Sequence, residues 1–554
     1  MFEKEYDVIV VGAGHAGSEA AAAAANLGSS TLLITMNLQN IGQMSCNPAM
    51  GGIAKGQIVR EIDAMGGYSG IISDKSAIQF KMLNKSKGPA MWSPRVQSDR
   101  MRFSETWRMM LEQTPNLDFY QEMVVGLIVE EMKVVGVRTS LGLKIRARTV
   151  ILTNGTFLNG LIHIGEKQFG GGRAGESAST GITKELEDLG FESGRMKTGT
   201  PPRVDGRSLD FSKMILQPGD EKPEKFSYSD ITAPLKTQRP CHMTHTSKLV
   251  HEILKEGFDR SPMFNGSIDS IGPRYCPSIE DKINRFADKD RHQMFIEPEG
   301  WDTVEYYVNG FSTSLPEDIQ AKALRQVVGF ENVKFFRPGY AIEYDYFPPT
   351  QLKHSLETKR VSGLFFAGQI NGTTGYEEAG SQGLMAGINA HLKVKEAEPF
   401  ILKRNEACIG VLIDDLITKG TDEPYRMFTS RAEYRTLLRQ DNADFRLTPM
   451  AHELGLASDV RMKKMEIKQR KSDSFVDFFK NTSVKPEVIN PILAKKESAL
   501  VGQSDKMFKT FSRPNITMED MRKIDAVEAF VKENELDYDV LQQTEIQVKY
   551  AGYI

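Results

Sequence analysis

The sequence is poor in cysteine, has no long apolar run and carries almost no net charge. Its four cysteines, Cys46, Cys241, Cys276 and Cys408, include no CxxC pair, which excludes a disulfide framework and a thiolate metal site and points to reduced thiols. The Cys241-His242-Met-Thr-His245 cluster has no fourth ligand at a recognisable spacing, so it reads as polar structure and no metal is expected. The apolar stretches Val8 to Val11 and Val150 to Leu152 are strand-sized, far short of the roughly 20 residues of a membrane span. Met1 to Asp7 lacks the basic and apolar regions of a leader peptide, so a cytoplasmic protein is expected. With a formal charge of -3, the average field does not attract a polyanion, and any such partner must be met by local basic patches. No internal repeat or low-complexity tract is evident.

What is present is the composition of a multidomain globular protein, 554 residues with 40% hydrophobic and 26% charged, long enough for two to four domains. Asp7 to Val11 is a β-branched apolar run that leads into Gly12-Ala13-Gly14-His15-Ala16-Gly17 and then an unbroken alanine run from Ala20 to Ala25. This reads as strand, glycine turn and helix. Gly12 makes the turn, Gly14 lets the backbone approach a pyrophosphate, and Gly17 allows close packing of helix on strand. A second strand, Ser30 to Thr35, follows at the expected spacing. At its end, where an acidic residue usually holds the ribose, Asn37 is a neutral substitute.

The rest of the chain favours FAD over a nicotinamide in this site. Flavoproteins of the glutathione-reductase type return late in the chain to complete the site, and Arg148 to Thr153 followed by Asn154-Gly155 resembles one such element. Gly363 to Gln369, followed by Gly372, Gly375 and a helical run through Glu377, Gly383 and Ala390, resembles another. The second would set a helix N-terminus against the flavin.

Four strings carry a more specific resemblance. They are Gly42 to Gly52 with Cys46 inside it, Gly272-Pro273-Arg274-Tyr275-Cys276 through Lys282, Arg337 to Asp345, and Gln369 to Glu378. Together with Glu423 to Arg435 and Glu545 to Ile554, they resemble the family of tRNA uridine 5-carboxymethylaminomethyl modification proteins, MnmG or GidA. The resemblance implies an FAD- and NADH-dependent enzyme that attaches an aminomethyl or carboxymethylaminomethyl group to C5 of the wobble uridine. Methylenetetrahydrofolate is the implied one-carbon donor, with glycine or ammonium as the amine. It also implies a homodimer that joins a GTPase of the MnmE family in a heterotetramer on tRNA. The family continues past residue 554 into a helical segment that docks the GTPase, so that segment is expected to be missing here.

The resemblance carries over Gly12 to Gly17, Val124, Ser179 and Gln369 as FAD contacts, and Gly272, Pro273, Arg274, Tyr275, Lys282 and Phe286 as NAD contacts. Uracil C5 is a poor nucleophile until something adds to C6, and a thiolate suits reversible addition there. Cys46 and Cys276 are the candidates. A neighbouring guanidinium such as Arg274 would raise the thiolate fraction of Cys276, while Cys46 sits in a glycine-bounded loop expected near the flavin. A buried structural cysteine is the commoner fate of either. A redox disulfide at Cys46 is excluded because position 51 is glycine. Asp281 is read as a proton carrier or as a helix-capping or salt-bridged carboxylate.

Lys75, Lys81, Lys85, Lys87, Arg95, Arg100 and Arg102 share a stretch with Phe80, Trp92 and Phe103, a combination that suits phosphate contact with base stacking. Ser430-Arg-Ala-Glu433 has the form of a capping box, which predicts a helix with Arg431, Arg435 and Arg439 as a basic stripe on one face. Most charge runs are solvated faces.

The expected architecture is α/β. A Rossmann-type FAD-binding domain of the glutathione-reductase superfamily spans 1–200 and 340–397, an inserted α+β domain spans 201–339, and a helical domain spans 398–554. Two other functions fit less of the chain. One is a folate- and FAD-dependent tRNA uracil-5-methyltransferase, against which the long C-terminal region argues. The other is a non-catalytic FAD-containing scaffold for RNA or a GTPase.

Overall fold

The computed structural model describes residues 5–268, 270, 272 and 277–553. Nine elements frame the site: β1 (Tyr6–Val11), α1 (His15–Asn26), β2 (Thr31–Thr35), β3 (Leu117–Gln121), β4 (Val124–Glu130), β5 (Lys133–Thr139), β6 (Lys144–Leu152), β7 (Leu364–Phe366) and α2 (Tyr376–Val394). β1, β2 and the second half of β6 are almost wholly buried, as near-continuous apolar runs must be when helices cover both faces of a parallel sheet. The parallel order is β3-β2-β1-β6-β7, and the first half of β6 turns antiparallel onto β5 and β4. Val11 lies opposite both Ile34 and Leu152, and Phe366 lies opposite Leu152. The carboxyl ends of β1, β2, β6 and β7 therefore share one edge, where open parallel sheets bind their ligands.

α1 and α2 pack together because their facing residues are small. A Cβ on Gly383 would lie 2.0 Å from the Ala16 carbonyl oxygen, and one on Gly387 would lie 2.4 Å from that of Ala20. The alanine run is the seat of this contact.

The chain leaves and re-enters this frame on adjacent strands, Gly194–Thr200 and Tyr340–Tyr346, paired antiparallel with Thr200 opposite Tyr340. Between them a six-stranded antiparallel sheet covers its own core of Ile296, Val308, Phe311 and Phe330. A third core, built on Phe475, Phe479, Phe511 and Val527, belongs to the helices from Asp459 onward. Among the described residues no helix is long and apolar enough to cross a membrane.

The mixed α/β class with a parallel sheet, an insert and a C-terminal helical region is as expected, but two finer expectations are corrected. The helices Cys408–Lys419 and Ala443–Leu454 pack on the first core, and the second also meets the terminal helix Asp459–Asn481 through the Asp444–Lys468 pair at 2.9 Å. The physical reason is the fully buried Glu61, whose carboxylate takes the amides of Cys408 and Ile409 at 2.9 and 3.0 Å and the Arg446 guanidinium at 3.0 Å. The helix expected from Ser430 is a single turn, Thr429–Arg431. Glu433 does not cap it, because Arg404 binds both its carboxylate oxygens, at 2.7 and 2.8 Å.

Candidate active site

The glycine turn between β1 and α1 is shaped by what it touches. Gly12 has φ +97°, and a Cβ there would lie 2.7 Å from the Thr153 carbonyl oxygen; one on Gly17 would lie 1.8 Å from the Gly12 carbonyl oxygen. A Cβ on Gly14 would meet nothing within 4 Å. α1 has no side-chain cap and no acidic residue in its first turn, so its leading amides and partial positive charge face open space. His15 is buried against Tyr376 with ring centroids 4.2 Å apart, and burial lowers its pKa to about 3, so it adds no charge.

Other candidate residues, distant in sequence, meet one another. Ser179 Oγ donates to the Val124 carbonyl at 3.1 Å, which places those two candidates together. Gln369 lies at the head of the turn before α2, and its Oε1 would be 3.8 Å from a Cβ on Gly155. Asn154 Oδ1, at the end of β6, is buried with no hydrogen-bond partner among the described residues. Asn37 spends its side chain locally, accepting from the amide of Gln39 at 2.8 Å.

The Cys46 loop is pinned from several sides. The Cys46 amide donates to Tyr376 Oη at 2.8 Å, and its Sγ lies 3.7 Å from the Gly199 carbonyl. Arg203 Nη2 donates to the Ser45 carbonyl at 2.9 Å, and Arg173 Nη1 to Ser45 Oγ at 2.8 Å. The Gly51 amide donates to Glu377 at 2.6 Å, and Lys55 lies 3.2 Å from Glu377 and 3.0 Å from Glu378. The loop is thus tied to the first turn of α2. Cys46 is half-buried, whereas Cys241 and Cys408 are buried. Burial pushes the Cys241 thiol up to about 12 and the Cys408 thiol well above its ordinary value.

Pro273, Arg274, Tyr275 and Cys276 lie outside the described residues. The residues flanking them converge on Lys197. A Cβ on Gly272 would lie 3.6 Å from the Lys197 side chain. Asp281 stands in the first turn of the helix Ile279–Arg285, where its amide donates to the Ser278 cap at 3.2 Å. Its carboxylate is 4.0 Å from Arg285. Lys197 is 6% exposed, and burial lowers its pKa against the opposing pull of Asp281, Glu280 and Glu343. Lys282 Nζ donates to the Gly310 carbonyl at 2.8 Å, and Phe286 is exposed.

The basic residues divide. Lys85 pairs with Asp220 at 2.8 Å, Arg95 with Glu297 at 3.0 Å, Arg100 with Glu299 at 2.9 Å and Arg102 with Asp302 at 2.8 Å. Lys87 and Arg435 are exposed. Arg431 lies over the Tyr425 ring at 4.3 Å. The expected single stripe of Arg431, Arg435 and Arg439 is corrected: no helix aligns them, and Arg439, 3% exposed, is turned inward onto Asp441 at 3.0 Å.

Lys197, Arg203, Tyr376 and Arg337 were not singled out as site residues from sequence. Tyr376 and Arg337 lay inside strings already noted. Lys197 and Arg203 carried no signal beyond lying near the strand that leads into the insert.

Two family models match the chain. "Glucose inhibited division protein A" covers residues 7–398, and "tRNA modifying enzyme MnmG/GidA C-terminal helical domain" covers 459–554. The tRNA uridine 5-carboxymethylaminomethyl modification enzyme MnmG of Christiangramia forsetii is 79% identical over 554 residues, all of this chain and 89% of that one. That of Flavobacterium johnsoniae is 78% identical, with the same coverage. GidA of Aquifex aeolicus, in its form II crystal, superposes with a TM-score of 0.89 at 46% identity, across 99% of this chain and 87% of that one. Agreement in sequence along the whole chain and in fold across nearly all of it shows that the chain belongs to the MnmG/GidA family of tRNA-modifying enzymes.

Proposed function

We propose that the protein is an FAD- and NADH-dependent enzyme acting with a GTPase partner of the MnmE family. In this reading it adds an aminomethyl or carboxymethylaminomethyl group to C5 of the wobble uridine of tRNA. The carbon comes from methylenetetrahydrofolate and the nitrogen from ammonium or glycine. The observation that carries the reading is a half-buried thiol, Cys46, tied to Tyr376 at the start of α2 and flanked by the Arg203 guanidinium.

The residues present fit FAD. Open space before Gly14, the uncapped start of α1 and the Asn154 oxygen, unpartnered among the described residues, form a cradle with polar demand. Gly12, Ala13, Gly14, His15, Ala16 and Gly17 would hold its phosphates, with Val124, Ser179 and Gln369 further along it. When bound, FAD supplies the redox chemistry that NADH feeds.

The protein's own residues serve the pyrimidine. A cysteine thiolate adds to C6: the sulfur lone pair forms the S–C6 bond, and the C5=C6 pair moves toward C5 and the C4 carbonyl. C5 then bonds the methylene carbon of methylenetetrahydrofolate as one of its two C–N bonds breaks with its pair left on the folate nitrogen, and the amine bonds the same carbon as the second C–N bond breaks in the same way. Loss of the C5 proton restores the double bond, and the S–C6 pair returns to sulfur. Arg203, whose guanidinium interacts electrostatically with Cys46, is the cation that this reading sets against the thiolate. Cys276 is the second candidate nucleophile. Asp281, half-buried beside Lys197, is the proton carrier of this reading. Lys85, Lys87, Arg95, Arg431 and Arg435 are the tRNA contacts it retains. A cytoplasmic homodimer goes with the same reading.

The test is nucleoside mass spectrometry of tRNA from cells lacking this protein, complemented with the wild-type chain, Cys46→Ser or Cys276→Ser. Loss of the C5 modification in the deletion, restored by the wild type alone, is expected. Unchanged wobble uridines in the deletion refute the assignment.

A further inference from the structure

A cavity of about 240 Å³ runs from Asn37 to Ser45, the chain neighbour of Cys46, and is walled by Arg100, Arg173, Arg203 and Arg337 among others. Its wall is unusually cationic. Arg173 is neutralised by Glu176 at 2.7 Å. The other three arginines share two carboxylates that stand behind the wall. Glu299 takes Arg203 at 2.6 Å and Arg100 at 2.9 Å; Glu305 takes Arg337 at 2.9 Å and lies 3.9 Å from Arg100. Three cations against two anions leave one positive charge, and it faces the cavity. Arg337 is the member of this group with the most open side chain, at 36% against 14% and 1% for Arg100 and Arg203. Burial and the neighbouring Arg203 pull its pKa below the usual arginine value, as expected of a cation whose surroundings supply too little negative charge. Arg100 Nε is buried with no hydrogen-bond partner among the described residues.

A surplus guanidinium charge is the complement of a small oxyanion, because its planar fork matches a carboxylate bidentately. The space suits a group of that size and falls below the roughly 300–1,000 Å³ of pockets that hold larger ligands. Ser45, the chain neighbour of Cys46, lines it. We propose that this cavity is the carboxylate subsite of the amine donor, a small amino acid such as glycine, with Arg337 as its specificity-determining residue. The proposal rests on the function proposed above, in which glycine and ammonium are alternative amines. Ammonium has no carboxylate and gains nothing from these arginines.

That difference supplies the test. The full chain with FAD, NADH, methylenetetrahydrofolate, partner GTPase and substrate tRNA is assayed with glycine or with ammonium, and both products are measured by nucleoside mass spectrometry. Arg337→Gln is expected to lower the glycine product at least tenfold relative to the ammonium product, through KM for glycine. Arg337→Lys falls between. Acetate competes with glycine and not with ammonium. Calorimetric titration of glycine into the FAD-loaded chain gives binding that Arg337→Gln removes. An equal fall in both products overturns the proposal and assigns the surplus charge to the Cys46 thiolate. Loss of flavin from Arg337→Gln overturns it too and assigns the arginines to the cofactor phosphates. An unchanged KM for glycine also overturns it. If the wild type makes neither product, the failure lies in the proposed function itself.

Discussion

The Tyr376 hydroxyl accepts the amide hydrogen of Cys46 at 2.8 Å across 330 residues of chain, and the same ring stacks on His15 at 4.2 Å. One side chain therefore joins the glycine turn, the Cys46 loop and the start of α2. Tyr376→Phe keeps the stack and removes the acceptor, at a cost of about 1–2 kcal/mol for the stranded amide. Modification activity is expected to fall by roughly fivefold to thirtyfold while flavin content is retained. Parallel measurement of product and flavin absorbance checks this, and loss of flavin would show that the hydroxyl matters mainly to the cradle.

Thiol reactivity should separate the cysteines by burial. With Cys241 raised to about 12 and Cys408 raised well above its ordinary value, both by burial, neither yields appreciable thiolate at pH 8 in the folded chain. Alkylation at pH 8 followed by peptide mass mapping should label Cys46 and leave Cys241 and Cys408 unlabelled until denaturant is added. Labelling of Cys408 at a rate comparable to Cys46 would contradict the packing around Glu61.

Lys55 stands between Glu377 and Glu378, whose side chains are 3% and 0% exposed. Lys55→Met strands two buried carboxylates and should destabilise the protein by about 3–5 kcal/mol, read as a shift of the urea midpoint. Adding Glu378→Gln should recover part of the loss, since one of the carboxylates then needs no counter-charge. A double variant no more stable than the single one would show that the cluster is held by something other than this pairing.

Gly14 offers a clean separation of folding from cofactor binding. Its φ is -73° and a Cβ there meets nothing, so Gly14→Asp should fold normally, with a melting temperature at or above that of the wild type because aspartate is a good N-cap. The same carboxylate would occupy the space before α1 and repel a pyrophosphate. Purified Gly14→Asp is expected to be colourless and to stay so with added FAD. A yellow protein would move the phosphate site elsewhere.

The local grammar of the site was readable from the chain. The run Asp7 to Ala25 dictates strand, turn and helix, because Gly12 and Gly17 answer contacts that a Cβ would break, while Gly14 leaves the approach to the helix open. Gly363 to Ala390 reads in the same way. The capping pattern at Ser430 misled, because Glu433 had a stronger option in Arg404, a residue 29 positions away that no local pattern reveals. The basic stretch from Lys75 to Arg102 looked like one patch, yet four of its members are paired with acids beyond residue 200.

Sequence alone determined the α/β class, the glycine turn, the candidate cysteines and the family, since these rest on short-range periodicity and on strings of adjacent residues. Tertiary structure decided which charges remain to do chemistry. Arg203, Glu299, Arg337 and Lys197 acquire their character from burial and from partners contributed by remote strands. Desolvation and ion pairing depend on distance in space, and a linear order of residues does not encode them.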